Sequence, residues 1–106
     1  MKYIITEIEN EQIHLFSDLS FFLSLDIFRN KWDEIINTIY PPIKFLNHYV
    51  CSSDILKKCL PVEYTKILDH IIKIMVRRIE NELIDNISYT IFDDFKREYT
   101  IKKINE

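Results

Sequence analysis

No glycine occurs anywhere in this chain of 106 residues, and that absence bounds its fold and chemistry more tightly than any motif it contains. Loops that cradle phosphate, and sharp turns that present a nucleophile, need a residue without Cβ where backbone meets ligand or reverses direction. A P-loop, a dinucleotide-binding fingerprint and a G-x-S-x-G hydrolase are therefore excluded. Helix C-termini must also end without the usual left-handed glycine, which leaves asparagine as the substitute. Asn30, Asn47, Asn81 and Asn86 are the candidates for that position. Alanine is absent too and isoleucine occurs 20 times, a bias that AT-rich coding DNA of a bacterium, phage or large virus explains without any appeal to chemistry.

The length suits one domain over residues 1–106, and a composition of 47% hydrophobic and 29% charged residues can bury a core. The start, Met1-Lys2-Tyr3-Ile4-Ile5-Thr6-Glu7, has no apolar run before acids appear, and no uncharged stretch approaches the ~20 residues that span a bilayer. Two cysteines, Cys51 and Cys59, are too few for a disulfide scaffold. The expectation is a cytoplasmic protein that does not enter a membrane. Its net charge of −3 is uneven, with the acidic excess in the first half and a slight basic excess in the second. That asymmetry favours a protein partner, or a contact between two copies, over a polyanion.

The strongest periodic segment is Pro61 to Leu83. Tyr64, Ile67, Leu68, Ile71, Ile72, Met75, Ile79 and Leu83 recur every three or four residues, which is one face of an α-helix. Pro61 suits its first turn, where a missing N–H costs nothing. Upstream, Ser17 or Asp18 can cap a helix running to about Phe28, and Asn30 can cap a second over Lys31 to Tyr40, ended by Pro41-Pro42. Ile43 to Val50 reads as a short helix with Phe45, Leu46 and Tyr49 inward. Ser52, Ser53 and Asp54 offer caps for another through Leu60.

Both ends of the chain admit two descriptions. Residues 3 to 16 fit a helix or two short strands turning near Glu9-Asn10. Ile87, Ile91, Phe95 and Tyr99 share a helical stripe, although the segments flanking Asp93-Asp94 also fit a hairpin. Helix is the favoured description of the C-terminal segment, and the first 16 residues stay open. The expected fold is all-α: a compact helical bundle or stacked helical hairpins around one long helix at about 61–84.

No constellation marks a catalytic site. His48, Cys51, Cys59 and His70 are zinc-capable ligand types, with a plausible H-x2-C spacing in the first pair, but the set matches no zinc motif, and buried or surface structural roles are the default for these residues. The carboxylate pairs Asp33-Glu34 and Asp93-Asp94 are adjacent in sequence, so on a helix they do not face one another. Glu7, Glu9 and Glu11 would form an acidic stripe if they lay on one strand. Between residues 57 and 78 Lys57, Lys58, Lys66, Lys73, Arg77 and Arg78 outnumber the acids, yet Glu63 and Asp69 interrupt them and a solvated face accounts for the pattern.

Without a cofactor loop, metal motif or catalytic signature, the expectation is a protein that works by binding rather than by catalysis, with no cofactor. The first-ranked function is an immunity- or antitoxin-like inhibitor that occludes a basic toxin domain such as a nuclease. Its contacts would come from Glu7, Glu9, Glu11, Asp33, Asp93 and Asp94, with Tyr89 and Tyr99 as aromatic anchors. A phage or viral accessory protein that binds a host or virion component, as a homodimer, ranks second. Nucleic-acid binding through residues 57–78 ranks third.

Overall fold

A computed structural model describes residues 2–104, apart from the side chains of Ile43 and Phe45. Its order is β1 (Lys2–Glu7), β2 (Gln12–Phe16), α1 (Leu19–Leu23), a single 3-10 turn at Asp26–Phe28, and α2 (Arg29–Ile39). There follow β3 (Ile43–Phe45), β4 (His48–Val50), α3 (Ser52–Cys59), α4 (Pro61–Asp85), β5 (Tyr89–Phe92) and β6 (Glu98–Ile104). The protein is α+β, and the expected all-α bundle is overturned by an antiparallel sheet of order β2-β1-β6-β5 built from the two ends of the chain.

The sheet closes through its first and last strands. β1 pairs with β6 so that Ile5 lies opposite Ile101 and Thr6 opposite Thr100, while β2 and β5 form the outer edges. Side chains alternate across a strand, and here the alternation separates two unlike faces. Tyr3, Ile5, Tyr99, Ile101 and Ile91 point into the core with Leu19, Phe22, Phe28, Trp32, Ile36, Ile71, Ile72, Met75 and Ile79. All the helices that join this core therefore lie on one side of the sheet.

The long helix forms as the spacing requires. α4 runs from Pro61 to Asp85 and buries Ile71, Ile72, Met75 and Ile79, with Tyr64, Ile67, Leu68 and Leu83 packed around them. It touches α1, α2 and α3. At a rise of ~1.5 Å per residue its 25 residues span about 37 Å, which explains much of the 54 Å long axis. The Tyr3 hydroxyl donates to Glu80 Oε1 at 3.1 Å and ties β1 to this helix.

The first half departs from its expected boundaries. Asp18 does cap α1, accepting from Ser20 N at 2.9 Å, but the helix stops at Leu23 and the chain turns through Asp26–Phe28 before α2 begins at Arg29. Asn30 is inside α2 and caps nothing. Instead Asp94, 64 residues downstream, accepts from Asn30 N at 3.0 Å. The Trp32 indole donates to Leu23 O at 2.9 Å and locks α2 against α1.

Residues 43 to 50 form a hairpin, not a helix, and its exposed Leu46 and Tyr49 reverse their expected burial. The Phe45 side chain lies outside the described residues. Ser52 and Ser53 are buried and bond to Asn37 Oδ1 at 3.2 and 3.0 Å, so they hold α3 against α2 and the N-cap position falls to Cys51.

Without glycine, the three hairpins reverse through Glu11 (φ 53°), Leu46 (φ 57°) and Lys96 (φ 63°). The left-handed residues thus lie in hairpin turns, and none of the asparagines expected to end helices in that conformation adopts it. Asn86 does follow α4, but in extended conformation.

Candidate functional site

The C-terminal segment expected as helix is a hairpin, and its turn is built around Asp93. This buried carboxylate accepts from Phe95 N at 2.8 Å, Arg97 N at 2.9 Å and the Tyr99 hydroxyl at 3.0 Å, and pairs with Arg97 Nε at 3.2 Å. Burial first, then the hydrogen bond to Asp93, pushes the Tyr99 phenol up to about 12. Its ring lies 5.4 Å from Phe22 and 6.2 Å from Phe28. Asp93 and Tyr99, both expected to touch a partner, are internal parts of the fold.

Other expected contact residues are also committed internally. Asp33 receives the Lys57 ammonium and the Tyr64 hydroxyl, joining α2 to α3 and α4. Burial and then the Asp33 charge push the Tyr64 phenol up to about 12. Tyr89, by contrast, is half-buried and lines a surface cleft with Lys31, Glu34, Met75 and Arg78. Glu7 is buried at the end of β1 and accepts from Asn10 Nδ2 at 2.8 Å. The acidic stripe on one strand does not form, because β1 ends at Glu7 and residues 8–11 are a turn.

Topology nevertheless brings six of the eight expected residues, Glu7, Glu9, Glu11, Asp93, Asp94 and Tyr99, to one end of the molecule. Glu7 pairs with Tyr99 and Ile8 N donates to Glu98 O at 3.0 Å, so the turns β1–β2 and β5–β6 sit side by side. Glu7, Glu9 and Glu11 belong to the first turn or its stem, Asp93 and Asp94 to the second. Asp94 N also donates to Ile27 O at 2.7 Å, docking the second turn beside the start of α2.

Of the bases at this end, Arg97 pairs with Asp93 and Arg29 with Asp26 at 3.2 Å, while Lys96 in the second turn is exposed. Beside Asp94, the Phe95 ring is 69% exposed and lines a 390 Å³ groove with Asp26, Ile27, Arg29 and Asn30. Sequence reasoning missed Phe95 because the helical stripe placed it inward.

The second exposed feature is the sheet face opposite the helices. Ile13 and Leu15 on β2 are 67% and 66% exposed there, and Phe92 on β5 is also exposed. By strand alternation Ile4, Thr6, Glu98, Thr100, Lys102 and Thr90 share this face. These residues were legible only if residues 3–16 were read as strands, because the face exists only once the pairing is known.

The chemistry-bearing residues outside these features stay apart. Among the described residues no group of three or more His, Cys, Asp or Glu side chains could hold a metal ion. Cys51 and Cys59 are both free and exposed. In the basic segment Lys57 is engaged by Asp33, while Lys66, Lys73 and Arg77 are exposed along α4 with Asp69 among them. No helix among the described residues is long and apolar enough to cross a membrane.

Fold and surface together define an α+β protein with one open-faced antiparallel sheet, helices on the other side, and two adjacent hairpin turns at one end, the first of them acidic. Compared with known proteins, the chain matches no family model, no curated protein and no solved structure.

Proposed function

We propose that this chain is a non-catalytic binding protein of the inhibitor kind, immunity- or antitoxin-like, which occludes a basic partner such as a nuclease toxin domain. The observation that carries this reading is the adjacency of the two hairpin turns, which brings the exposed Glu9 and Glu11 of the first to the same end as Asp94 and the exposed Phe95 of the second, whose ring has the Arg97 guanidinium 5.2 Å from its centre. Exposed acids at one end steer a cationic surface toward the molecule and fix its orientation. An aromatic ring in a groove supplies the apolar anchor that charges alone do not provide. Phe95 and Asp94 replace Tyr99 and Asp93 as the contact pair, because the latter two are spent on holding the turn.

The test is affinity capture from the native source at low ionic strength. A stoichiometric basic protein that is released as salt rises supports this reading, since screening weakens exposed charge pairs. Failure to retain any stoichiometric protein partner contradicts it.

A further inference from the structure

We propose that the open face of the sheet packs against the same face of a second copy of this chain. The side-chain pattern of the two central strands has a symmetry that fits such a contact. Along this face β1 presents Ile4 and Thr6, and Ile8, the first residue of the β1–β2 turn, continues their line with its N–H donating to Glu98 O, while the neighbouring β6 presents Lys102, Thr100 and Glu98. Thr6 and Thr100 are cross-strand partners, so a threonine row crosses the sheet with Ile4 of β1 on one side of it and Ile8 of the following turn on the other. On β6 the same row has a cation on one side and an anion on the other, each two residues, ~7 Å, away.

A two-fold axis lying along that row reverses strand direction and brings two such faces together. Each threonine then meets its own counterpart, Ile4 meets Ile8 of the second copy, and Lys102 meets Glu98 of the second copy. Because the contact is isologous, every pair forms twice. An axis along β6 would instead set lysine on lysine and glutamate on glutamate, so charge selects the first arrangement. Ile13 falls in the same row as Thr6 and widens the contact. Short threonine side chains at the centre let two sheets approach the ~10 Å separation of a β-sandwich. The proposed contact is read from the strand register of the sheet face and touches the hairpin turns only at Ile8, so it does not rest on the partner-binding proposal.

The experiment is sedimentation equilibrium on the full chain from micromolar to near-millimolar concentration, with folding of each variant checked by circular dichroism. Wild type is expected to dimerise. Glu98→Lys and Lys102→Glu should each weaken the dimer by about tenfold or more, because each creates two like-charge contacts. The double variant, which exchanges the charges, should recover the affinity to within about threefold of wild type. Because recovery is read within one series of folded proteins, a misfolded single variant does not decide the outcome. A wild-type chain that stays monomeric throughout overturns the proposal. So does a dimer indifferent to both reversals, or a double variant no tighter than the single ones.

Discussion

Lys96 sits in left-handed conformation after the Asp93–Lys96 turn, where Lys96 N donates to Asp93 O at 3.0 Å and Asp93 N to Arg97 O at 3.1 Å. This is the position where hairpins of this kind ordinarily place glycine. A side chain there costs ~1 to 2 kcal/mol, and glycine returns ~0.5 to 1 kcal/mol of that through its freer unfolded chain. Lys96→Gly should therefore raise stability by about 0.5 to 1 kcal/mol, seen as a higher urea midpoint with unchanged slope. Asp93→Ala is the opposite case. It strands the bonds from Phe95 N, Arg97 N and the Tyr99 hydroxyl and leaves Arg97 without its partner, so it should cost about 3 kcal/mol or more in the same measurement. The phenols of Tyr64 and Tyr99, raised from 10.0 to about 12, give a pH signature. The unfolded chain releases these protons first, so their contribution is intact below about pH 10 and is lost as pH rises toward about 12. Melting temperatures across that range should fall, and less steeply in a Tyr64→Phe, Tyr99→Phe double variant.

Among the elements, α4 was legible because its period repeats over many turns and nothing else fits eight apolar residues at those spacings. Ile71 has no exposed surface, and Ile71→Asp buries a charge with no partner; the cooperative melt should disappear. The C-terminal hairpin was not legible in the same way. Ile87, Ile91, Phe95 and Tyr99 are four apart, a spacing that keeps residues on one side of a helix and equally on one side of a strand. In the fold only Ile91 and Tyr99 enter the core, while Ile87 and Phe95 are exposed, which no helical stripe would produce. The usual second signal, enrichment in β-branched residues, has little contrast in a chain where isoleucine is spread through helices and strands alike. The β3–β4 hairpin misled for a related reason, since apolar Leu46 and Tyr49 imply burial but are 78% and 73% exposed. Leu46→Ser and Tyr49→Ser should each change stability by less than about 0.5 kcal/mol in thermal or urea unfolding.

At the scale of the whole molecule, the decisive contact joins the chain's first strand to its last, and no local pattern announces it. Pairing of β1 with β6 brings together turns that are more than 80 residues apart in sequence. The acidic residues of the candidate site could be listed from the sequence, but their division could not. Asp33, Asp93 and Glu7 face inward because Lys57, the β5–β6 turn and Asn10 supply donors for them, whereas Glu9 and Glu11 are left at the surface. That division is also the central functional claim, that the hairpin end is where a basic protein docks. The most direct measurement captures partners from the native source with wild type and with a Glu9→Lys, Glu11→Lys, Phe95→Ser variant matched in melting temperature. The wild-type chain should retain a stoichiometric basic protein and the variant should lose it. Equal retention by both chains, or retention by neither, would contradict the account.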